Sequence, residues 1–170
     1  MLEKMFPPAL AGIGFGDGGD PVGEFLKSEP DLLLGPDFAS TGGGRVFYRG
    51  MVASQDGGPE LGASAKMLGA RQGTDINADD GLVRPKSGGM SVNESPTGMP
   101  AFRRPPSFGG SGKDLRMYCI RECDIPPGLR YTPESGGHGF FEPSDGMTFE
   151  DYQNLVQGTR GLWSEVLPLE

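Results

Sequence analysis

Residues 79–92 constrain the fold most strongly, because they bend the chain sharply between two short apolar segments. An apolar pair comes before the bend, and the second apolar segment begins at Met90. Between them, Pro85 fixes φ, and the glycine pair at 88–89 permits positive φ. This combination is typical of a tight turn, so the sequence predicts a turn that leads into a strand at Met90.

The same turn carries groups that can bind a polar ligand. Gly89 lets a ligand approach the backbone, where amide groups and the Ser91 hydroxyl can donate hydrogen bonds. Arg84 and Lys86 add positive charge. Arg84, Gly89, Met90 and Ser91 are therefore candidate ligand-binding residues. The alternative is a hairpin turn beside a solvated basic pair.

Length and composition predict one domain with a small core and long irregular connections. The chain has 170 residues, of which 35% are hydrophobic, and it contains 30 glycines and 16 prolines. So much glycine and proline approaches the range of loop-rich proteins. Residues 1–44 show little periodicity, and we expect a poorly ordered arm there, followed by a folded domain over residues 45–170.

Charge and patterning exclude several classes of function. The formal net charge of -8 disfavours general nucleic-acid binding, which needs a basic face. No apolar run approaches the roughly 18 residues of a membrane span, and the first ten residues lack the apolar region of a secretory signal. Cys119 and Cys123 have no second pair or His cluster that would complete a metal site. We expect a soluble protein with no signal peptide and no metal site.

The first clear strand covers residues 45–52, which are rich in aromatic and β-branched side chains. Alternation along a strand places Phe47, Arg49 and Met51 on one face. An arginine beside two large apolar residues suits a cleft wall, where a guanidinium can bind phosphate through two hydrogen bonds. The alternative is an edge strand with a solvated Arg49.

A long connection follows, over residues 93–112, and it contains four prolines and the cluster Phe102-Arg103-Arg104. Loops of this length in a compact domain are usually functional or disordered. We expect a mobile lid in which Phe102 stacks on a ring of the ligand while an arginine meets phosphate.

The last part of the chain predicts a strand over residues 136–143 and a final helix. Alternation places His138 and Glu142 on one face of that strand, as candidate cleft residues. The alternatives are a structural histidine and a Glu142 that caps the next turn. Thr148 followed by Asp151 is a capping-box pattern, and helical apolar spacing continues through Trp163 to Val166.

These segments resemble, in order, the bacterial type VI secretion toxins with an ADP-ribosyltransferase-like fold and their relatives in fungi. The resemblance covers residues 45–166. It is carried by Phe47-Tyr48-Arg49, Thr74-Asp75-Ile76, Asp80-Gly81-Leu82, the turn from Pro85 to Gly88-Gly89-Met90-Ser91-Val92, Asp124-Ile125-Pro126-Pro127-Gly128-Leu129, His138 with Pro143, and Arg160 with Trp163.

The resemblance implies an α+β fold with a split core of two small β-sheets, few helices, long loops and an NAD cleft between the sheets. In ADP-ribosyltransferases, an arginine of the first strand holds phosphate or ribose, and a serine-bearing strand supports the nicotinamide ribose. Arg49 and Ser91 match these two roles. The third role, a late carboxylate that stabilises positive charge on the ribose, is assigned to Glu142, and His138 is assigned to binding.

The resemblance also implies a toxin that acts in the cytoplasm of a target cell and is restrained in its producer by an immunity protein. Three functions stay open. The chain is an NAD-consuming transferase or glycohydrolase toxin with an unknown acceptor, a toxin that binds a protein or nucleotide without turnover, or an inactive relative kept as an interaction module.

Overall fold

The computed structural model describes residues 44–168, which form eight strands, one α-helix and four short 3-10 turns. The expected arm over residues 1–44 lies, except for Gly44, outside the described residues. The regular elements are β1 Val46–Val52, β2 Leu82–Val83, β3 Met90–Asn93, β4 Leu115–Arg121, β5 Leu129–Ser135, β6 His138–Pro143, β7 Met147–Thr148, α1 Phe149–Gly158 and β8 Ser164–Val166.

Six of the strands form one antiparallel sheet in the order β5-β6-β3-β1-β4-β8, and β2 pairs with β7 in a small second sheet. The large sheet is nearly divided at its centre. β1 pairs along its whole length with β4, but its register with β3 consists of the single pair Tyr48 and Asn93. The division gives two three-stranded half-sheets, β5-β6-β3 and β1-β4-β8. The expected α+β fold with a split core, few helices and long loops is thereby confirmed.

β1 is a central strand, so the alternative of an edge strand with a solvated arginine is wrong. Phe47 and Met51 are fully buried in the main core, and Arg49 between them is also buried. The predicted face of this strand is therefore confirmed. The opposite face of β1 contributes Tyr48 to a second, smaller core cluster.

The hairpin of β5 and β6 turns through Gly136 and Gly137, which have φ values of 58° and 79°. Two successive residues with positive φ are the requirement of a type I′ turn, which matches the twist of antiparallel strands. The strand predicted over residues 136–143 is confirmed from His138 onward. Its partner β5 has no counterpart in the sequence-based prediction.

The glycine pair at 88–89 serves the protein's own backbone. A Cβ on Gly89 would overlap the carbonyl of Phe141, and a Cβ on Gly88 would overlap the carbonyl of Asp75. The predicted strand at Met90 is confirmed. The first residue of this strand is also bound to the helix, because Met90 N–H donates to the Tyr152 hydroxyl at 2.8 Å.

The final helix begins as predicted but ends early. The Thr148 hydroxyl caps α1 by accepting from Asp151 N–H at 3.1 Å. The helix stops at Gly158 because Ser164–Val166 leaves helical geometry to pair with β4, which gives those backbone groups strand partners. The prediction of helix up to Val166 is therefore wrong.

Candidate functional site

A cleft opens where the two half-sheets separate. Its volume of about 410 Å³ is within the usual range of small-molecule sites. One wall comes from β1, the other from β3 and β6, and the loop after β3 forms the rim. The residues that line the cleft are Arg49, Gly50, Ala65, Ser91, Asn93, Gly98, Met99, Pro100, Phe102, Arg103, Ser135 and His138.

The side chain of Arg49 bridges the division between the half-sheets. One nitrogen of its guanidinium, Nη1, donates to the Ser91 carbonyl and, at 3.1 Å, to the Ser91 hydroxyl. The other, Nη2, donates to the carbonyls of Ala65 at 3.2 Å and Met67 at 3.3 Å. Arg49 and Ser91, predicted from separate strands, therefore meet in one site.

Arg49 is charged but has only neutral partners. Its exposed fraction is 6%, and its Nε has no hydrogen-bond partner among the described residues. Burial, together with the smaller effect of the nearby positive charge of Arg103, lowers the pKa of Arg49 to about 10. A guanidinium with this pKa remains protonated at neutral pH. The cleft therefore contains a buried, uncompensated positive charge.

Arg103 brings a second positive charge to the same point. Its Nη1 donates to the Ala65 carbonyl, which also accepts from Arg49. None of the described residues that line the cleft is an aspartate or a glutamate. The nearby carboxylate of Asp75 is bound by Arg71 at 2.7 Å. The cleft is therefore electropositive although the whole chain is acidic.

Asn93 is a lining residue that the sequence-based reasoning missed. It is buried, and its Oδ1 has no hydrogen-bond partner among residues 44–168. A buried polar atom without a partner costs free energy, so a ligand hydroxyl or amide that pairs with it gains affinity. Its position two residues after Ser91, at the end of the strand that begins at Met90, was the available signal.

Phe102 stands at the rim of the cleft with 61% of its surface exposed, and the Arg103 guanidinium lies 5.6 Å from its ring centroid. The segment is held by local hydrogen bonds, such as Ser111 N–H to the Ala101 carbonyl at 2.8 Å. Phe102 and Arg103 therefore reach the cleft as predicted from the sequence. The proposed mobility of the loop stays a prediction.

His138 also lines the cleft, and it is paired with a residue that the sequence-based reasoning missed. Its Nδ1 lies 2.7 Å from Glu134 Oε2, and its ring packs edge-on against Phe140 at 5.0 Å. The two-residue Gly-Gly turn places Glu134 beside His138 across the hairpin. That turn pattern was the signal that could have identified the pair.

The structure does not bring Glu142 to the cleft. Its carboxylate accepts from the Thr132 hydroxyl at 2.6 Å, from Arg130 at 2.6 Å and 2.8 Å, and from Lys86 N–H at 2.9 Å. Burial raises the pKa of Glu142, but the hydrogen bonds from Thr132, Arg130 and Lys86 outweigh it and lower the pKa overall. Glu142 is four positions along the strand from His138, and these partners hold it at the far end of β6.

Arg84, Gly89 and Met90 are also outside the cleft. Arg84 donates to the Asp79 carbonyl at 2.9 Å beside the small sheet. Gly89 lies against the backbone of Phe141, as described above, and Met90 is in the main core. We expected the glycine pair to let a ligand approach the backbone. It instead lets neighbouring backbone segments, at Asp75 and Phe141, pack closely against it.

Within residues 44–168, no cluster of His, Cys, Asp or Glu side chains is arranged to hold a metal ion. In the same part of the chain, no helix has the length and apolar character of a membrane span.

Comparison with known proteins gives one family. Neither the curated proteins nor the solved structures include a significant match. The sequence model of the Tse2 ADP-ribosyltransferase toxins matches residues 49–163, which begin at the arginine of the cleft and end at Trp163. This match spans more than half of the chain and includes every lining residue of the cleft. The chain therefore belongs to the Tse2 ADP-ribosyltransferase toxin family, whose members are type VI secretion effectors.

Proposed function

We propose that this toxin consumes NAD in the cytoplasm of a target cell. It breaks the bond between nicotinamide and ribose and passes the ADP-ribosyl group to an acceptor or to water. The observation that carries this proposal is the meeting of Arg49 and Arg103 at one carbonyl, in a cleft whose described lining contains no carboxylate. A pyrophosphate supplies the two negative charges that such a pair lacks.

The other lining residues suit the remaining parts of a dinucleotide. The Ser91 hydroxyl and the unpaired Oδ1 of Asn93 can bind ribose hydroxyls. The exposed ring of Phe102 can stack on a flat heterocycle. Because the chain as a whole is acidic, NAD is repelled at long range and its binding depends on these local contacts.

The reaction requires one bond to break and one to form at the same carbon. The electron pair of the bond leaves with nicotinamide, which becomes neutral, and positive charge stays on the ribose. A lone pair of the acceptor then forms the new bond and its proton is released. We assign Arg49 and Arg103 to holding the phosphates, and Ser91 and Asn93 to orienting the ribose, because orientation of the reacting carbon lowers the barrier.

A second candidate is a toxin on the same fold that binds a nucleotide without turnover. It is favoured by the position of Glu142, because no carboxylate among the described lining residues faces a positive ribose. Electrostatic stabilisation of that charge is usually the largest contribution to such a reaction. Nicotinamide release distinguishes the two candidates directly.

The test is to incubate the purified protein with NAD and to measure bound NAD by calorimetry and free nicotinamide by chromatography. Arg49→Lys and Arg103→Lys keep the positive charge but lose the planar guanidinium, which can donate two parallel hydrogen bonds to one phosphate. We expect each to weaken NAD binding roughly tenfold to a hundredfold, the equivalent of about 1.5–3 kcal/mol for a charged hydrogen bond. Arg116→Lys, at an exposed pair with Glu165, is the matched control and should bind like wild type.

Binding without nicotinamide release in wild type would favour the candidate without turnover. Absence of NAD binding would contradict both the substrate and the cleft assignment. In cells, expression of wild type and of Arg49→Ala, followed by growth and NAD content, connects the cleft to toxicity. The family also suggests a cognate immunity protein in the producing cell, and we take residues 45–170 as the toxin domain.

A further inference from the structure

The pair of Glu134 and His138 lies on the hairpin of β5 and β6 at the wall of the cleft. The Nδ1 atom of His138 is 2.7 Å from Glu134 Oε2, and His138 and Ser135 both line the cavity. Glu134 itself is half exposed and is not a lining residue. The carboxylate therefore acts on the cleft only through the imidazole.

The hydrogen bond to Glu134 fixes which ring nitrogen carries the proton. A carboxylate only accepts, so the neutral imidazole next to it carries its hydrogen on Nδ1. Its Nε2 then has a free lone pair. Among residues 44–168, Nε2 has no hydrogen-bond partner, and His138 lines the cleft with its ring packed edge-on against Phe140.

The hairpin makes this arrangement rigid. Gly136 and Gly137 supply the two positive φ values of a tight turn, and Ser135 pairs directly with His138. Edge-on packing against Phe140 restricts rotation of the ring. A lone pair held in one direction by a carboxylate on the opposite nitrogen is the arrangement that enzymes use for a general base.

We propose that Glu134 is a positioning residue that holds His138 with its Nε2 lone pair toward the cleft, where it accepts the proton of the attacking acceptor. The proton role rests on the proposed NAD reaction. The acceptor O–H or N–H loses its proton to Nε2 as its lone pair bonds to the ribose carbon and nicotinamide leaves with the electrons of the broken bond. The imidazolium that results is stabilised by the Glu134 carboxylate.

The position of the ring proton can be measured without activity, because His138 is the only histidine in the sequence. Two-bond proton–nitrogen correlation spectra of the tag-free, nitrogen-labelled protein distinguish the two tautomers. We expect the Nδ1-protonated form in wild type and in Glu134→Gln, whose amide oxygen still accepts a hydrogen bond. Glu134→Ala should shift the ring toward the Nε2-protonated form. An Nε2-protonated ring in wild type would overturn the proposal.

Kinetics then test the proton role. Glu134→Ala should lower kcat for nicotinamide release about tenfold to a hundredfold with little change in KM for NAD, because it affects the base and not the phosphate contacts. Glu134→Gln should recover part of the loss, and His138→Gln should lose roughly a hundredfold or more. Glu94→Ala removes a nearby carboxylate that faces Arg45 instead and should retain wild-type kcat.

Unchanged kcat in Glu134→Ala or in His138→Gln would overturn the proton role. Failure of the proposed function has a different signature. If wild type binds NAD but releases no nicotinamide, the NAD reaction and the proton role both fall, while the tautomer spectrum still decides whether Glu134 positions His138.

Discussion

Gly50 lies so close to the carbonyl oxygen of Arg103 that a Cβ at position 50 would overlap it. This contact fixes the turn that carries Phe102 and Arg103 onto the first strand. Gly50→Ala must push that turn away, at a cost of about 1–3 kcal/mol in the free energy of unfolding, and it should also weaken NAD binding. Urea unfolding and calorimetry measure the two effects.

Gly158→Ala is the matched control for Gly50→Ala. Gly158 ends the helix with no atom within 4 Å of the added Cβ, so alanine should stabilise the fold by about 0.5 kcal/mol. Equal stability of Gly50→Ala and wild type would show that the turn is not held by this contact.

Tyr152 connects the helix to two neighbouring strands of the large sheet, β3 and β6. Its buried hydroxyl accepts from Met90 N–H at 2.8 Å and donates to the Phe141 carbonyl at 2.6 Å. Tyr152→Phe leaves both backbone groups without that partner, so we expect a loss of roughly 1–3 kcal/mol by urea unfolding. Tyr131→Phe removes a buried hydroxyl that has no partner among the described residues and should cost close to nothing. Similar losses in the two variants would contradict this explanation.

Glu142 predicts a specific dependence of stability on pH. Burial raises its pKa, but the hydrogen bonds to its carboxylate prevail, and the pKa in the folded protein lies below the ordinary value of 4.5. Folding therefore favours the ionised form. The resulting stabilisation is complete above about pH 4.5 and is lost as the pH falls through the lower folded-state pKa.

We expect Glu142→Gln to lose roughly 2–3 kcal/mol at pH 7 and the difference from wild type to shrink in acid. Glu165→Gln, at an exposed pair with Arg116, should change stability by less than about 1 kcal/mol. Urea unfolding between pH 3 and 7 measures both variants. A difference for Glu142→Gln that stays constant with pH would exclude the ionised carboxylate as its source.

Trp163 follows the end of the helix and is buried against Phe141, with its indole N–H donating to the Thr159 hydroxyl at 2.9 Å. Trp163→Ala removes a large core side chain and should cost about 3–5 kcal/mol, visible as a lower melting temperature. Its neighbour Leu162 is 43% exposed, so Leu162→Ala should stay within about 0.5 kcal/mol of wild type. An unchanged melting temperature in Trp163→Ala would mean that the indole is not part of the core.

The sequence was informative where structure depends on near neighbours. Alternating side chains placed Arg49 on the buried face of β1, and the Thr148 hydroxyl caps the helix three residues before its Asp151 partner. Phe102 and His138 were expected at a ligand cleft and both line the cavity. Each of these features depends on backbone periodicity or local hydrogen bonding.

Long-range contacts decided what the sequence could not. The hydrogen-bond partners of Glu142 come from β5 and from the turn after β2, which are distant in the sequence. The sequence alone therefore did not show that its carboxylate is paired in the fold. Helical spacing continued to Val166, but pairing with β4 drew that segment into a strand. Asn93 became a candidate site residue only because the fold places it in the cleft between the half-sheets. Glu134 became one because the β5–β6 hairpin places it beside His138.

The order of strands in the large sheet also determines when the cleft can exist during folding. The hairpin of β5 and β6 joins neighbours in the chain, whereas β1 must find β4 and β3 must find β6 across long intervening segments. Local pairings form before distant ones because they close short loops. We therefore expect Glu134 and His138 to meet early and the two arginines to reach the cleft only when the half-sheets assemble. A partly folded chain would then present one wall of the site without the two arginines, so we expect the proposed binding of NAD only after folding is complete.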